Sequence, residues 1–333
     1  MCAAVLTGAA ACGGDASEPN NQKILLYSGR NEALVKPLFE KFTEKTGIEL
    51  EVRYGTTAQM AAQLAEEGDR TPAEVFLSQD AGGLGAVNKK GVLATLPAEV
   101  LSKVPEAYRA KDGNWVGVTA RSRVLVYNPG LVKAEELPRS VFDLTAPRWK
   151  GKVAIAPTNG SFQAFVTGVR VQHGEEKAKE YFAALKANDV QIRENNIAIV
   201  EEVDAGKVPV GLVNHYYLGE IARERGTSPD KLNARLHFFA AGDSGAMVNV
   251  SGIGVLRRSA DDPDVRRLLD YLLGSEAQTW FAANTYEYPL VGGAPAPAYV
   301  PPLADLKVPP IDLNDLETLE ASIELIKSTG LTP

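Results

Sequence analysis

From Lys23 onward short apolar runs alternate with segments whose apolar residues recur at helical spacing, the signature of an α/β chain. ILLYSG at 24–29 predicts a strand running into a glycine turn. Residues 31–46 carry Leu34, Leu38, Phe39 and Phe42 on one helical face, with Gly47 as a stop. IELEVRYG alternates as a second strand, Thr57 to Glu67 reads as a helix closed by Gly68, and AEVFLS at 73–78 as a third strand. This order predicts a parallel sheet with crossover helices. The run WVGVTARSRVLVYNP at 115–129 is long enough to cross between two lobes and carries Arg121 and Arg123 in its middle. A second α/β unit follows. It consists of VAIAP (153–157), a helix near 163–171, a helix over 175–187 and the strand VGLVN at 210–214. AMVNVSGIGVL at 246–256 can carry the chain back, 261–284 reads as a helix, and a Pro- and Gly-rich stretch at 289–302 leads to a last helix near 313–328.

The 333 residues suit one large domain or two of ordinary size, and 45% hydrophobic with 23% charged residues is a soluble globular composition. A net charge of -7 without a basic run excludes nucleic acid as the expected partner, because phosphate binding needs clustered Lys and Arg. The two cysteines, Cys2 and Cys12, both precede the predicted body, so that body holds no disulfide and no thiolate metal site. The opening MCAAVLTGAAACGGDASEPNNQ is small and apolar to Cys12 and then turns to linker residues. It resembles a bacterial lipoprotein signal ending at a lipidated Cys12. A cleaved secretory signal with Ala9 and Ala11 at the cleavage site is the alternative, and both imply an extracytoplasmic location.

Catalytic signatures are poor. GDSGA at 242–246 resembles a protease serine environment but lacks the final Gly and a matching histidine segment, and reads as a turn. No nucleophile elbow, phosphate loop, dinucleotide fingerprint or zinc helix motif is present. Of three histidines, His173 and His237 stand in ordinary helix and strand contexts.

The segment VGLVNHYYLGE places Asn214, His215, Tyr216 and Tyr217 at the end of an apolar strand, where open α/β sheets hold their ligands. Two adjacent phenols can give hard oxygen donors to a small, highly charged cation, although an arbitrary pair of this kind more often serves as packing aromatics. Five segments in order carry a family resemblance: YSGRNEALVKPLFEKFTEKTGI, LAEEGDRTPAEVFLSQDAGGLGAV, VTARSRVLVYNP, APTNGSFQAFV and NHYYLGE. Across 24–302 the chain resembles the periplasmic ferric-binding proteins of bacterial iron ABC importers.

The resemblance implies a two-lobed periplasmic-binding-protein fold of type II, its ligand cleft lying between lobes joined by crossing strands. The expected parts are a signal and linker at 1–22, an N-lobe of 23–118 with 246–300, and a C-lobe of 119–245 with 301–333. It implies a binding protein rather than an enzyme, with Tyr216 and Tyr217 as ferric ligands. Where many members carry a histidine and a glutamate ligand, this chain has Asn31 and Gln79. Members lacking those groups use a synergistic anion, which implies Arg30 and Arg121 as its holders and carbonate or bicarbonate rather than phosphate. Ser161, Asn195 and Asn214 match anion-pocket positions, as do Asn159 and Gly160. Asp80, with Thr57 and Gln59, is a further lining candidate. The implied partners are an ABC permease and its ATPase, with the chain a monomer that meets the membrane only through its lipid anchor. The alternative is a metal-independent receptor for a phosphonate- or sulfate-type anion, using Arg30, Arg121, Ser161 and Asn195.

Overall fold

The computed structural model describes residues 23–306 and 308–332, so the expected lipidation site at Cys12 lies outside the described residues. Ten strands are present in it: β1 Lys23–Ser28, β2 Glu49–Tyr54, β3 Val75–Ser78, β4 Val116–Tyr127, β5 Val153–Ile155, β6 Gln191–Ile192, β7 Val210–Asn214, β8 Arg235–His237, β9 Val248–Val255 and β10 Tyr288–Pro289. The helices are α1 Glu32–Thr46, α2 Thr57–Glu67, α3 Ala81–Lys89, α4 Ala98–Leu101, α5 Gly160–His173, α6 Glu175–Ala187, α7 Asn196–Asp204, α8 Tyr216–Glu224, α9 Pro263–Leu272, α10 Ser275–Asn284 and α11 Leu319–Ser328. Local chemistry sets many ends. Asn31 caps α1 by accepting from the Ala33 N–H, Gly47 ends it with a φ of 75°, and Thr56 with Gln59 forms a capping box on α2.

The strands run β2-β1-β3-β9-β4-β7-β5-β6, with β8 and β10 each pairing with β4. The sheet is mixed where the sequence predicted a parallel one. β1, β2 and β3 are parallel, as are β5, β6 and β7, but β4 and β9 insert antiparallel to their neighbours. The reason lies in β4, which belongs to two lobes. Its residues as far as Ser122 pair with β9, and from Arg123 onward they pair with β7. The return crossing lies beside it, where the Arg123 N–H donates to the Met247 carbonyl at 2.8 Å. The sheet therefore crosses between the lobes at 122/123 and 247/248. Each lobe has its own core. One gathers Leu26, Phe42, Phe76, Trp115, Ile253 and Phe281, and the other has one cluster around Phe162, Phe165 and Phe182 and a second around Ile199, Val213 and Ile221. The predicted helix over 261–284 is two, α9 and α10, separated at Leu273 and Gly274.

A third crossing comes from the C-terminal segment. Leu313 and Leu316 join the first core, whereas Leu325, Ile326 and Leu331 join the second. The seat for this strap is a glycine face on α3: a Cβ added at Gly82 would stand 2.6 Å from the Leu316 carbonyl, and one at Gly85 would stand 3.0 Å from that of Asn314. That close approach explains AGGLGAV, a glycine-rich run that no helical pattern in the sequence flags. Gly82→Ala should gain about 1 kcal/mol in helix propensity yet lose about 1–3 kcal/mol to overpacking against the strap. A urea midpoint below wild type is the expected measurement, and a raised midpoint would mean that the strap moves aside freely.

Candidate functional site

Between the lobes lies a cleft of about 940 Å³. The first lobe presents Arg30, Asn31, Thr57, Gln79 and Asp80, and the second presents Asn159, Ser161, Asn214, Tyr216 and Tyr217, with Arg121 and Arg123 from the crossing strand. Most residues singled out in the sequence are thus brought to one place. Two are not on its wall: Asn195 caps α7 by accepting from the Ala198 N–H, and the Gln59 side chain is engaged by the Thr56 N–H. The neighbouring Asn196, which the sequence did not single out, instead donates to the Ser161 hydroxyl at 3.0 Å.

Tyr216 and Tyr217 are the first two residues of α8, just past the end of β7, rather than strand residues. Their rings lie 4.3 Å apart, tilted by 33°. Burial, with Tyr217 and Glu220 adding to it, holds the Tyr216 hydroxyl well above the usual phenol range even though Arg121 pulls the other way. Only a strong cation in the cleft would ionise it. His215 contributes no free donor. Its Nδ1 accepts from the Ser122 N–H at 3.1 Å and its Nε2 contacts the Tyr286 carbonyl at 2.8 Å, the arrangement of a neutral ring protonated at Nε2. Burial pulls its pKa down to about 4, in keeping with that form. His215 pins α8 to the other lobe.

The first-lobe wall holds a partner that the sequence reading missed. Both terminal nitrogens of Arg30 donate to Glu287 at 2.8 Å, and Arg121 reaches the same carboxylate at 3.5 Å while also donating to the Gln79 carbonyl. Thr119 and Thr285 hydroxyls donate to it as well, at 3.1 and 3.0 Å. Burial alone would raise the Glu287 carboxyl, but the charge and hydrogen bonds of Arg30, with Arg121 and Thr285 behind them, hold it down at about 2. The only sequence signal was an acidic residue between two tyrosines, TYEYP, far from every other site segment. Asp80 caps α3 by accepting from the Gly83 N–H at 2.9 Å, and burial pushes its pKa up.

On the second-lobe side Arg123 is 1% exposed and forms no ion pair with a carboxylate among the described residues. Its terminal nitrogens contact the Leu212 carbonyl at 2.9 Å and the Ser161 hydroxyl at 3.3 Å, and its guanidinium lies over Phe162 and Phe165. Burial pulls it down to about 10, against the ordinary 12.5. Asn159 caps α5 and holds Ser161 through both its N–H and its hydroxyl. A buried cation beside a helix N-terminus is an anion-favouring wall. Elsewhere, Ser244 of the GDSGA turn donates to Gln172 and meets His173 Nε2 at 2.8 Å, so its proton is committed away from the histidine and the pair is no activated nucleophile. Among the described residues no three His, Cys, Asp or Glu side chains group as a metal site, and no helix is long and apolar enough to cross a membrane.

A two-lobed clamp with a polar cleft at its crossing strands defines a solute receptor, and the chain belongs to the bacterial extracellular solute-binding protein family, whose signature matches residues 70–316. It is 33% identical over 312 residues to the Fe(3+)-binding periplasmic protein of Serratia marcescens, covering 93% of this chain and 91% of that one. It is also 30% identical over 321 residues to the major ferric iron-binding protein of Neisseria meningitidis serogroup B, covering 95% of each. Among solved structures, iron-bound HitA from Pseudomonas aeruginosa superposes with a TM-score of 0.82 at 34% identity, over 92% of this chain and 99% of that one. The Trichodesmium IdiA (FutA) protein in complex with iron and citrate gives 0.80 at 30% identity, over 93% and 100%. These relatives share the type II periplasmic-binding fold and are binding proteins, not enzymes.

Proposed function

We propose that this protein captures ferric iron outside the cytoplasm, with Tyr216 and Tyr217 as the protein's metal ligands and a bound oxyanion completing the shell, and hands the ion to an ABC permease and its ATPase. The observation that carries this reading is the pair of stacked phenols at the start of α8, facing a cleft lined by three arginines. Ferric iron prefers hard oxygen donors, and two phenolates leave it a charge of about one to be balanced. Gln79, where a carboxylate could have stood, offers only an amide. An anion supplies the balance, carbonate fitting a small shell, with Ser161, Asn159, Asn214 and the arginines as its candidate holders. Names of relatives agree with iron as cargo, and one solved relative is described in complex with iron and citrate.

Opening and closing would proceed by rotation of the lobes about the crossings at 122/123 and 247/248. Protonation of the phenolates, loss of the anion or reduction of the ion would favour release. Extracytoplasmic placement follows from the same reading, with lipidation at Cys12 or simple secretion as its two forms.

The test is a ferric titration of residues 23–333 with and without bicarbonate, followed by visible absorbance. A ferric–phenolate charge-transfer band that saturates at one ion per chain is expected. A colourless protein that leaves iron in solution but binds sulfate or a phosphonate would replace this reading with that of a metal-independent anion receptor, for which the Arg123 wall is the favouring feature.

A further inference from the structure

Glu287 turns the arginine side of the cleft into something other than a ready anion site. Arg30 and Glu287 have side chains 1% and 3% exposed, and the carboxylate occupies both terminal nitrogens of Arg30. The nearer edge of Arg121, itself 4% exposed, faces the same group. A guanidinium binds an oxyanion through this fork of donors, so a fork already closed on a carboxylate has little left to offer a free one. Beyond the pair lies Glu220, which burial together with the Glu287 charge pushes up to about 7 although Arg223 and Arg30 pull the other way.

We infer that Glu287 is a specificity-determining residue that serves as a built-in anion: by neutralising Arg30 and engaging Arg121 it keeps free oxyanions off the first-lobe wall. The inference rests on the ferric reading for its consequence, which is that the anion completing the iron shell is held by the Arg123–Ser161 wall of the second lobe. The tyrosines stand on that lobe too. Ion and anion then assemble on one lobe, and the first lobe closes over them with its own charges already balanced. The sequence resemblance implied Arg30 and Arg121 together with Ser161, Asn195 and Asn214 as holders of the anion; the pairing of Arg30 and Arg121 with Glu287 favours the second-lobe members Ser161 and Asn214.

The experiment uses the iron-free chain, so that it does not depend on the ferric reading. Bicarbonate and, separately, phosphate are titrated into wild type, Glu287→Gln and the Arg30→Gln/Glu287→Gln double variant, with thermal midpoint and calorimetric heat as readouts. Glu287→Gln keeps the shape but leaves two buried guanidinium groups without a counter-charge. It should bind these anions at least about tenfold more tightly than wild type, the size expected of one or two charge-assisted hydrogen bonds. Its thermal midpoint should climb with anion concentration. The double variant, with Arg30 also neutral, should lose most of that gain, which separates a charge effect from mere loosening of the fold. If Glu287→Gln does not fold, a ferric titration of Arg123→Gln replaces it, and the bicarbonate dependence of the visible band should fall about tenfold or more. Equal anion affinity in wild type and Glu287→Gln, or a bicarbonate dependence untouched by Arg123→Gln, would overturn the inference while leaving the iron assignment standing. Absence of any ferric band in wild type would remove the iron assignment and leave the anion titrations as a valid test of Glu287.

Discussion

Replacing both Tyr216 and Tyr217 by Phe is expected to abolish the visible ferric band and to weaken ferric binding by well over 100-fold while leaving the fold intact. Loss of an outer-shell partner of a metal ligand typically costs 10- to 100-fold, and these residues are the proposed ligands themselves. Of the carboxylates near the cleft among the described residues, Asp80 is tied into the cap of α3, Glu287 into the arginines and Glu317 to Lys89, while Glu320 lines the same cleft. The single variants should differ. Tyr216 is 6% exposed and Tyr217 is half-buried, so Tyr216→Phe removes the more enclosed oxygen and should cost more. Because the rings pack through their faces at 4.3 Å, two hydroxyl deletions should cost the apo protein only about 1–2 kcal/mol, and urea unfolding of the metal-free variants is the control. Iron affinity that survives in the double Phe variant would mean that other groups carry the metal.

What could be read in the sequence follows what short-range pattern encodes. β1, α1, β2 and α2 show clean alternation or helical spacing with a capping residue and a closing glycine, and the structure places them within a residue or two of expectation. α3 went unread because its glycines serve a contact with Leu316, more than 200 positions away in the chain, and not the helix itself. α7 went unread as well: the sequence offered Asn195 as an anion-pocket position and did not single out Asn196, whereas one caps the helix and the other reaches Ser161. The tyrosine pair was legible as a motif, and its strand end proved to be the strand-to-helix junction. Glu287 was not legible. Its role comes from three chain segments, around residues 30, 121 and 287, meeting in a low-dielectric place, and nothing local in TYEYP announces a partner 257 positions back. Ion pairs of that kind are a property of topology.

Arg30→Met should destabilise the apo protein by about 3–5 kcal/mol at neutral pH, because it leaves a buried carboxylate without its main counter-charge. Arg121 at 3.5 Å softens the loss and sets the expectation toward the lower end of that range. The pH dependence identifies the cause. In wild type the Glu287 carboxyl is held at about 2, below its ordinary 4.5, so its contribution is fully present above pH 4.5 and is lost as pH falls toward 2. Without Arg30 the carboxyl is no longer held down, protonates far more readily, and is then a neutral group that costs much less to bury. The two stability curves should therefore converge as the pH is lowered through 4.5, with the gap at pH 7 the larger. Arg30→Met/Glu287→Leu, which replaces the pair by apolar side chains of similar size, should recover most of the loss, since it removes the unpaired charge altogether. Urea unfolding of the three proteins at pH 7 and pH 4 decides it. A deficit in Arg30→Met that is the same at both pH values, and that the second substitution does not repair, would assign Arg30 a packing role and leave the charge of Glu287 with no part in holding the first-lobe wall together.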